Sequence, residues 1–158
     1  GGGMGVAPLI GLARMLIKEK KVRGLSDEVV QIIAVVGFYE EPILLEALEE
    51  CCHRVYFATE NGTEGFKGNV IQLIEQNDIR ADYYMACGPK PMLRAIAGRC
   101  ENTGISIQVS LEERMGCGYG ACVGCVCKTR EKGTSKTKLK KVCSDGPVFF
   151  GNEVVWDD

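Results

Sequence analysis

The chain has 158 residues, 46% of them apolar and 25% charged, with a formal net charge of −2. This is the composition of one globular domain with room for a small appendage. The slightly acidic balance argues against nucleic acid as a partner, and no apolar run approaches the roughly 20 residues needed to cross a bilayer, so no membrane association is expected either. Nine cysteines cannot all pair as disulfides within one chain, and five of them crowd between Cys117 and Cys143. No signal peptide is visible. Clustered cysteines in such a chain point to metal ligation in a reducing cytoplasm rather than to a secreted disulfide scaffold.

The elements alternate in chain order. "APLIGLARMLIKEKK" reads as an amphipathic helix with Pro8 in its first turn and lysines at its end. "VVQIIAVVGF" is a continuous β-branched run suited to a buried parallel strand. A short helix "PILLEALEECC", a strand "HRVYFAT", a helix "GNVIQLIEQND" and a strand "ADYYMACG" follow. Then come a helix "PKPMLRAIAGRCENTG", with Gly104 near its C-cap, and a strand "ISIQVSLEE". Strand–helix alternation of this kind implies an α/β fold, a doubly wound parallel sheet covered on both faces. Beyond residue 111 the pattern changes to Gly, Cys and the short β-like pieces "CVCKTR", "KLKKVCSDG" and "PVFFGNEVVW". Two domains are therefore expected, 1–111 and 112–158.

Ligands of such sheets bind at the carboxyl ends of the strands, and Gly37, Thr59 and Gly88 mark three of those ends. The opening "GGGMGVAPL" is a glycine loop running into a helix, a place where backbone N–H groups can approach a pyrophosphate. A strand normally precedes such a loop, so the chain reads as beginning inside the motif with its first strand missing. "ATENGTEGFKG" suits a ribose and adenine at a strand end, and in "ACGPKPM" Gly88 leaves room for a flat ring beside Cys87. A tight turn is the plainer reading of each, and a buried apolar thiol the plainer reading of Cys87.

Cys117, Cys122 and Cys125 form C-x4-C-x2-C, with Cys143 further on, the ligand order of plant-type 2Fe–2S proteins. Gly116, Gly118, Gly120 and Gly124 suit a tight loop whose amides point at sulfur. A four-cysteine zinc site is the competitor, although zinc ribbons favour two C-x2-C knuckles. Unligated thiols are the third possibility. Cys127 is read as a non-ligand, and the lone histidine, His53, is given no role. A nicotinamide moves two electrons and a 2Fe–2S cluster one, so a chain with both sites implies a flavin between them.

These motifs resemble a known family. "GGGMGVAPL", "ATENGTEGFKG" and "ACGPKPM" are similar to the NAD-binding module of the ferredoxin–NADP reductase superfamily. "SLEERMGCGYGACVGCVC" followed by "KKVCSDGPVF" resembles the iron–sulfur end of the electron-transfer subunit of type B dihydroorotate dehydrogenase. The resemblance covers essentially the whole chain. It implies a cytoplasmic, NAD-dependent iron–sulfur flavoprotein oxidoreductase subunit that pairs with an FMN-containing catalytic subunit in a hetero-oligomer. Electrons from dihydroorotate would pass through the cluster and FAD to NAD⁺, in pyrimidine (UMP) biosynthesis. By matching positions, Cys117, Cys122, Cys125 and Cys143 hold the cluster. Gly2, Gly3, Gly5, Val6, Pro8, Thr59, Gly62, Cys87, Gly88, Pro89 and Met92 contact nucleotide. Gly2, Gly3 and Gly5 line the pyrophosphate, and Cys87 and Gly88 flank the nicotinamide. No residue is assigned as catalytic. Family members carry FAD mainly on an N-terminal β-barrel absent from this sequence, so the fragment is expected to be inactive alone; because the missing first strand would be central in the sheet and leave its neighbours unpaired, the fragment is also expected to fold poorly alone. Two readings compete: another NADH-linked iron–sulfur reductase subunit, of sulfite reductase or hydrogenase type, and a zinc-stabilised interaction module without redox activity.

Two further expectations concern charge. Glu40, Glu41, Glu60 and Glu64 crowd the second and third strand ends, which favours NAD over NADP. The basic stretch 128–141 is expected to be a surface loop between two strands; the plainer reading is a solvated hairpin loop, and the sharper one is that it borders the face where a partner docks.

Overall fold

The alternating pattern resolves into two units, Gly1–Arg80 and Ala81–Asp158, in a computed structural model that describes every residue except 132, 133, 135, 157 and 158. In the first unit a 3₁₀ turn at Gly3–Gly5 opens into α1 (Val6–Val22). It is followed by β1 (Ile33–Phe38), α2 (Leu45–Glu49), β2 (Arg54–Thr59), β3 (Phe66–Lys67) and α3 (Val70–Gln76). The three strands form one parallel sheet in chain order, with Ile33 opposite Arg54, Phe38 opposite Thr59 and Ala58 opposite Phe66. Along the other edge of β1, Gly2 makes a parallel bridge to Gly37, and the Gly37 N–H donates to the Gly1 carbonyl at 2.9 Å. The glycine opening therefore sits in the plane of the sheet before the chain turns up into α1.

The period of two in β1 decides what covers each face. Val36 and Phe38 are buried with Val6, Ile10 and Ala13 of α1 and Leu48 of α2. Gly37 points the other way, where a Cβ would stand 2.7 Å from Val70 Cγ2 at the start of α3. Helices thus cover both faces, as a doubly wound sheet requires. α3 begins with a capping box: Asn69 Oδ1 accepts from the Ile71 and Gln72 amides at 3.0 Å, and Gln72 Oε1 accepts from the Asn69 amide at 3.0 Å.

His53, to which no role was assigned, pins the amino ends of β1 and β2. Its Nδ1 accepts the Ile32 N–H at 2.9 Å, and its Nε2 lies 3.1 Å from Asp27 Oδ1 and 3.0 Å from Lys20 Nζ. Lys20 is 6% exposed despite lying in the basic end of α1. Its ammonium reaches the same Asp27 carboxylate. The Asp27 carboxyl is held below the usual carboxylate range by Lys20 and then His53.

The second unit contains β4 (Tyr83–Cys87), α4 (Lys90–Thr103), β5 (Ser106–Ser110), β6 (Val126–Arg130), β7 (Thr137–Lys141), α5 (Val142–Asp145) and β8 (Val148–Phe150). β4 and β5 are parallel, β8 lies antiparallel on β5, and β6 and β7 form a separate antiparallel hairpin. α4 buries Leu93, Ile96, Ala97 and Cys100, and ends at Gly104 with φ 70°. The tail closes back on β5: a Cβ on Gly151 would stand 2.6 Å from Ile107 Cγ2, and the Gly151 N–H donates to the Ile107 carbonyl at 2.9 Å.

The basic stretch differs from expectation. Most of it is strand rather than loop: Lys128 and Arg130 lie in β6, and Lys138, Lys140 and Lys141 in β7. Lys132 lies outside the described residues. The register explains how a hairpin tolerates so many cations. Lys128 faces Leu139, Lys138 faces Thr129, Arg130 faces Thr137, Lys140 faces Cys127 and Lys141 faces Val126, so no two like charges are directly opposed. Among the described residues no helix is long and apolar enough to cross a membrane.

Candidate metal centre and nucleotide loops

Between β5 and β6 the chain runs through residues 111–125 without regular structure, and this stretch carries three of the four candidate ligands. The fourth, Cys143, sits on the single turn of α5. The fold gathers them as two pairs. The thiols of Cys117 and Cys122 hydrogen-bond each other, as do those of Cys125 and Cys143. The pairs are near enough for Cys117 to act electrostatically on both Cys125 and Cys143. The segment carrying Cys143 is anchored by the Val142 N–H, which donates to the Cys125 carbonyl at 2.8 Å. Among the described residues no three His, Cys, Asp or Glu side chains converge at the range a single metal ion needs.

Backbone amides converge on the sulfurs. The Cys122 N–H donates to Cys117 Sγ at 3.4 Å and the Gly124 N–H to Cys122 Sγ at 3.4 Å. The amides of Cys122 and then Tyr119 bring the Cys117 thiol down to about 6. The Cys143 amide, followed by its thiol, lowers Cys125. Cys143 is pushed up, first by its hydrogen bond with Cys125 and then by burial. Amides aimed at sulfur stabilise thiolate over thiol, the form that ligates metal. A Cβ on Gly116 would stand 3.1 Å from Cys122 Sγ, so glycine leaves that sulfur its place. Four thiols under preformed amide donors, with Cys125 only 1% exposed, are a donor set that fits a thiolate-ligated cluster.

Cys127 stands apart. It lies in β6 opposite Lys140, and its thiol is pushed up by burial and then by Glu113, with none of the four cysteines among its neighbours of influence. Cys51 and Cys52 form a second, unrelated group at the end of α2. The Cys51 thiol donates to the Ala47 carbonyl at 3.1 Å, and burial followed by Cys51 pushes the Cys52 thiol up to about 12.

The first unit carries seven of the nucleotide candidates. Gly2 is in the sheet bridge, and Gly3 and Gly5 form the turn below α1. Gly3 has φ 51° and open space around it, while Val6 is fully buried and Pro8 exposed. Thr59 is fully buried; its hydroxyl donates to the Glu64 carbonyl at 2.6 Å, so its side chain holds the β2–β3 loop in shape. The Gly62 N–H donates to the Thr59 carbonyl at 3.2 Å in the same loop. The loop is tied to the end of β1: Glu60 N–H donates to Phe38 O at 3.1 Å, and Thr63 Oγ1 to Glu40 O at 2.7 Å. Glu40 and Glu60 thus share one strand-end surface.

The second unit carries the other four. At the carboxyl ends of β4 and β5 a cavity of about 140 Å³ is lined by Gly88, Pro89, Lys90, Leu93, Leu111, Glu112 and Glu113. That volume suits a single ring or headgroup rather than a whole dinucleotide. Cys87 is buried beneath this end, and Met92 is half-buried on α4 without lining the cavity. Motif reading did not single out Glu112 and Glu113 as lining residues. Their position right after an apolar strand at a sheet's carboxyl end was the available signal.

A sheet with helices on both faces, a glycine turn into α1 and a cysteine loop with amide-directed sulfurs define a reductase-type nucleotide fold joined to an iron–sulfur-binding stretch. A solved structure of an NADH-dependent reduced ferredoxin–NADP oxidoreductase, described in connection with flavin-based electron bifurcation, matches 98% of this chain and 52% of its own at TM-score 0.76 and 28% identity. Residues 112–155 match the family described as the iron–sulfur cluster binding domain of dihydroorotate dehydrogenase B. The dihydroorotate dehydrogenase B (NAD⁺) electron transfer subunit of Bacillus caldolyticus is 45% identical over 156 residues, which are 98% of this chain and 55% of that protein. Its counterpart from Caldanaerobacter subterraneus is 41% identical over 157 residues, 99% of this chain and 58% of that protein. Over the stretch it spans, the chain is similar to dihydroorotate dehydrogenase B electron transfer subunits. It covers a little over half the length of these curated relatives.

Proposed function

We propose that this chain serves the electron-transfer side of a dihydroorotate dehydrogenase, in pyrimidine biosynthesis. Electrons taken from dihydroorotate by an FMN-containing catalytic subunit would reach NAD⁺ by way of a 2Fe–2S cluster and FAD. The observation that carries this reading is the arrangement of Cys117 with Cys122 and of Cys125 with Cys143 under backbone amide donors. Two thiol pairs suit a group with two metal ions, each taking two thiolates, better than one zinc ion taking four. When bound, such a cluster carries one electron at a time.

The chain's own residues do the rest. The Cys122 amide favours the charged form of Cys117, and the Gly124 amide holds the Cys122 sulfur in place. Burial of Cys125 keeps water from one side of the group and lowers the local dielectric. Residues 1–111 act as the nucleotide-binding domain and 112–158 as the cluster-binding domain. Gly2, Gly3 and Gly5 provide backbone for a pyrophosphate at the start of α1, where the helix dipole is positive. Gly88 and Pro89 border a cavity of ring size.

Anaerobic reconstitution with ferrous iron and sulfide tests the reading. The expected product is coloured, and Ala at Cys117, Cys122, Cys125 or Cys143 abolishes the colour while Cys127→Ala keeps it. A colourless, zinc-retaining protein would establish the non-redox alternative. Dihydroorotate-dependent NAD⁺ reduction by the full-length subunit with its catalytic partner tests the pathway. Its failure alongside active ferredoxin-linked reduction would favour the relationship seen in the structural neighbour.

A further inference from the structure

The two segments that bring the thiols together are joined by one side chain. Lys141, the last residue of β7, donates from Nζ to the Gly120 carbonyl in the middle of the Cys117–Cys122 loop. Its own backbone N–H donates to Asp145 Oδ2 at 2.7 Å, which fixes the turn that carries Cys143. The Gly120 carbonyl belongs to the same peptide unit as the Ala121 N–H, which is directed at Cys117 Sγ. The Gly120 N–H, one peptide earlier, is directed at Cys143 Sγ. A cation on a carbonyl oxygen polarises that peptide and strengthens the hydrogen bond its N–H makes. The neighbouring Lys140 has other partners: Glu153 at 3.5 Å and the face of Phe149 at 5.3 Å. Lys141 is thus a cation that this hairpin directs into the cysteine loop.

We propose that Lys141 is a positioning residue for the metal centre: it clamps the Cys117–Cys122 loop onto the Cys143 segment and, through the Gly120–Ala121 peptide, makes the group those thiols hold easier to reduce. The inference rests on the reading of the four cysteines as cluster ligands. An added electron is stabilised by a nearby positive charge and by stronger N–H donation to sulfur. Hydrogen bonds to cluster sulfurs are among the main levers by which a protein sets such a potential.

The test uses the whole chain, reconstituted with ferrous iron and sulfide, and compares wild type with Lys141→Met and Lys141→Arg. A dye-coupled redox titration followed by visible absorption gives the midpoint potential. Lys141→Met is expected to lower the ratio of reduced to oxidised protein at a fixed potential about tenfold, which for one electron is about 59 mV. Lys141→Arg keeps the charge and is expected within about twofold of wild type. A Lys141→Met protein that binds its cluster and stays within about twofold of wild type overturns the electrostatic role. Hydrogen exchange on the metal-free protein reads the clamp independently of any cluster. The amides of Tyr119–Cys122 are expected to exchange at least about tenfold faster in Lys141→Met, with those of β6 unchanged. Equal exchange overturns the clamp. If Lys141→Met assembles no cluster, Lys141→Gln is titrated in its place with the same criterion. A wild-type protein that takes up no iron–sulfur group contradicts the ligand reading itself, and the exchange comparison then decides the clamp alone.

Discussion

Gly120 lies against the segment carrying Cys143, and replacing it tests whether that closeness matters. Gly120 has φ 90°, and an added Cβ would meet Ser144 Oγ at 3.1 Å and Ser144 Cβ at 3.2 Å. Holding an L-residue in left-handed backbone costs roughly 1–2 kcal/mol. Forcing a methyl against Ser144 costs about 1–2 kcal/mol more, because rotating the serine moves its Oγ but leaves its Cβ in place. The sum, about 2–4 kcal/mol, corresponds to a roughly 30- to 700-fold loss in the population of the ligand-ready loop at about 1.4 kcal/mol per tenfold. Gly118 is the internal control: it has φ 74°, but nothing lies within 4 Å of its Cβ position. Gly118→Ala therefore incurs only the backbone cost, roughly a 5- to 30-fold loss. The assay is loss of visible absorption when reconstituted protein is challenged with an iron chelator. Wild type should hold the metal longest, Gly118→Ala less long and Gly120→Ala least, with at least about fivefold between the two variants. Equal retention by Gly120→Ala and Gly118→Ala would refute the argument that the two segments must touch.

Gly37→Ala should destabilise the first unit by about 1–3 kcal/mol, because its Cβ would press on the buried Val70 side chain 2.7 Å away. Calorimetry should show the melting temperature of this unit falling by roughly 4–8 °C for each kcal/mol, with Val70→Ala restoring part of it, and a melt unchanged within 1 °C would be inconsistent with this packing. Cys52, raised to about 12 from an ordinary 9.0, is ionised only at high pH; the shift is upward, so thiolate is scarcer at every pH below it. Its alkylation at pH 8, read on the tryptic peptide 24–54, should be about a thousandfold slower than that of an ordinary thiol and should rise tenfold per pH unit through pH 10. Fast labelling of Cys52 at pH 8 would contradict the burial argument. The full-length subunit should prefer NADH to NADPH in kcat/KM, since Glu40 and Glu60 meet at one strand-end surface where a 2′-phosphate would lie. Equal use of both cofactors would show that a cation elsewhere compensates.

Much of this architecture is written in short-range pattern. β1 follows from the β-branched run 29–38, and α4 from a 3.6-residue apolar stripe closed by Gly104. The four cysteines follow from spacing, because a loop of small residues leaves few ways to bring thiols together. Elements too short to show a period were not legible. β3 is two residues inside a stretch that reads as a polar loop, and it exists because Ala58 and Thr59 offer it a ladder. The turn of α5 was hidden in a β-like run, because Asp145, which fixes it by accepting the Lys141 amide, lies beyond the apolar residues. The burial of Lys20 was equally hidden. Three lysines in "KEKK" look alike on paper, and only the distant Asp27 and His53 single one out. The same holds for Lys141, whose partner in the cysteine loop is a backbone carbonyl and has no residue letter.

β8 has a consequence for how this protein can be taken apart. Val148–Phe150 lies along Gln108–Ser110, and the Leu111 N–H donates to the Pro147 carbonyl at 2.9 Å. The chain leaves β5, forms the cysteine loop and hairpin, and returns to the strand it left. As a stretch of sequence the cluster-binding region starts near residue 112, but the compact unit that contains it starts at Ala81. A fusion built from residues 112–158 would leave β5 behind, so β8 would lose its ladder, Phe149 its cover, and the bare strand would be open to aggregation. An engineer wishing to graft this centre onto another scaffold should cut before β4, carrying the strand pair as the mounting plate.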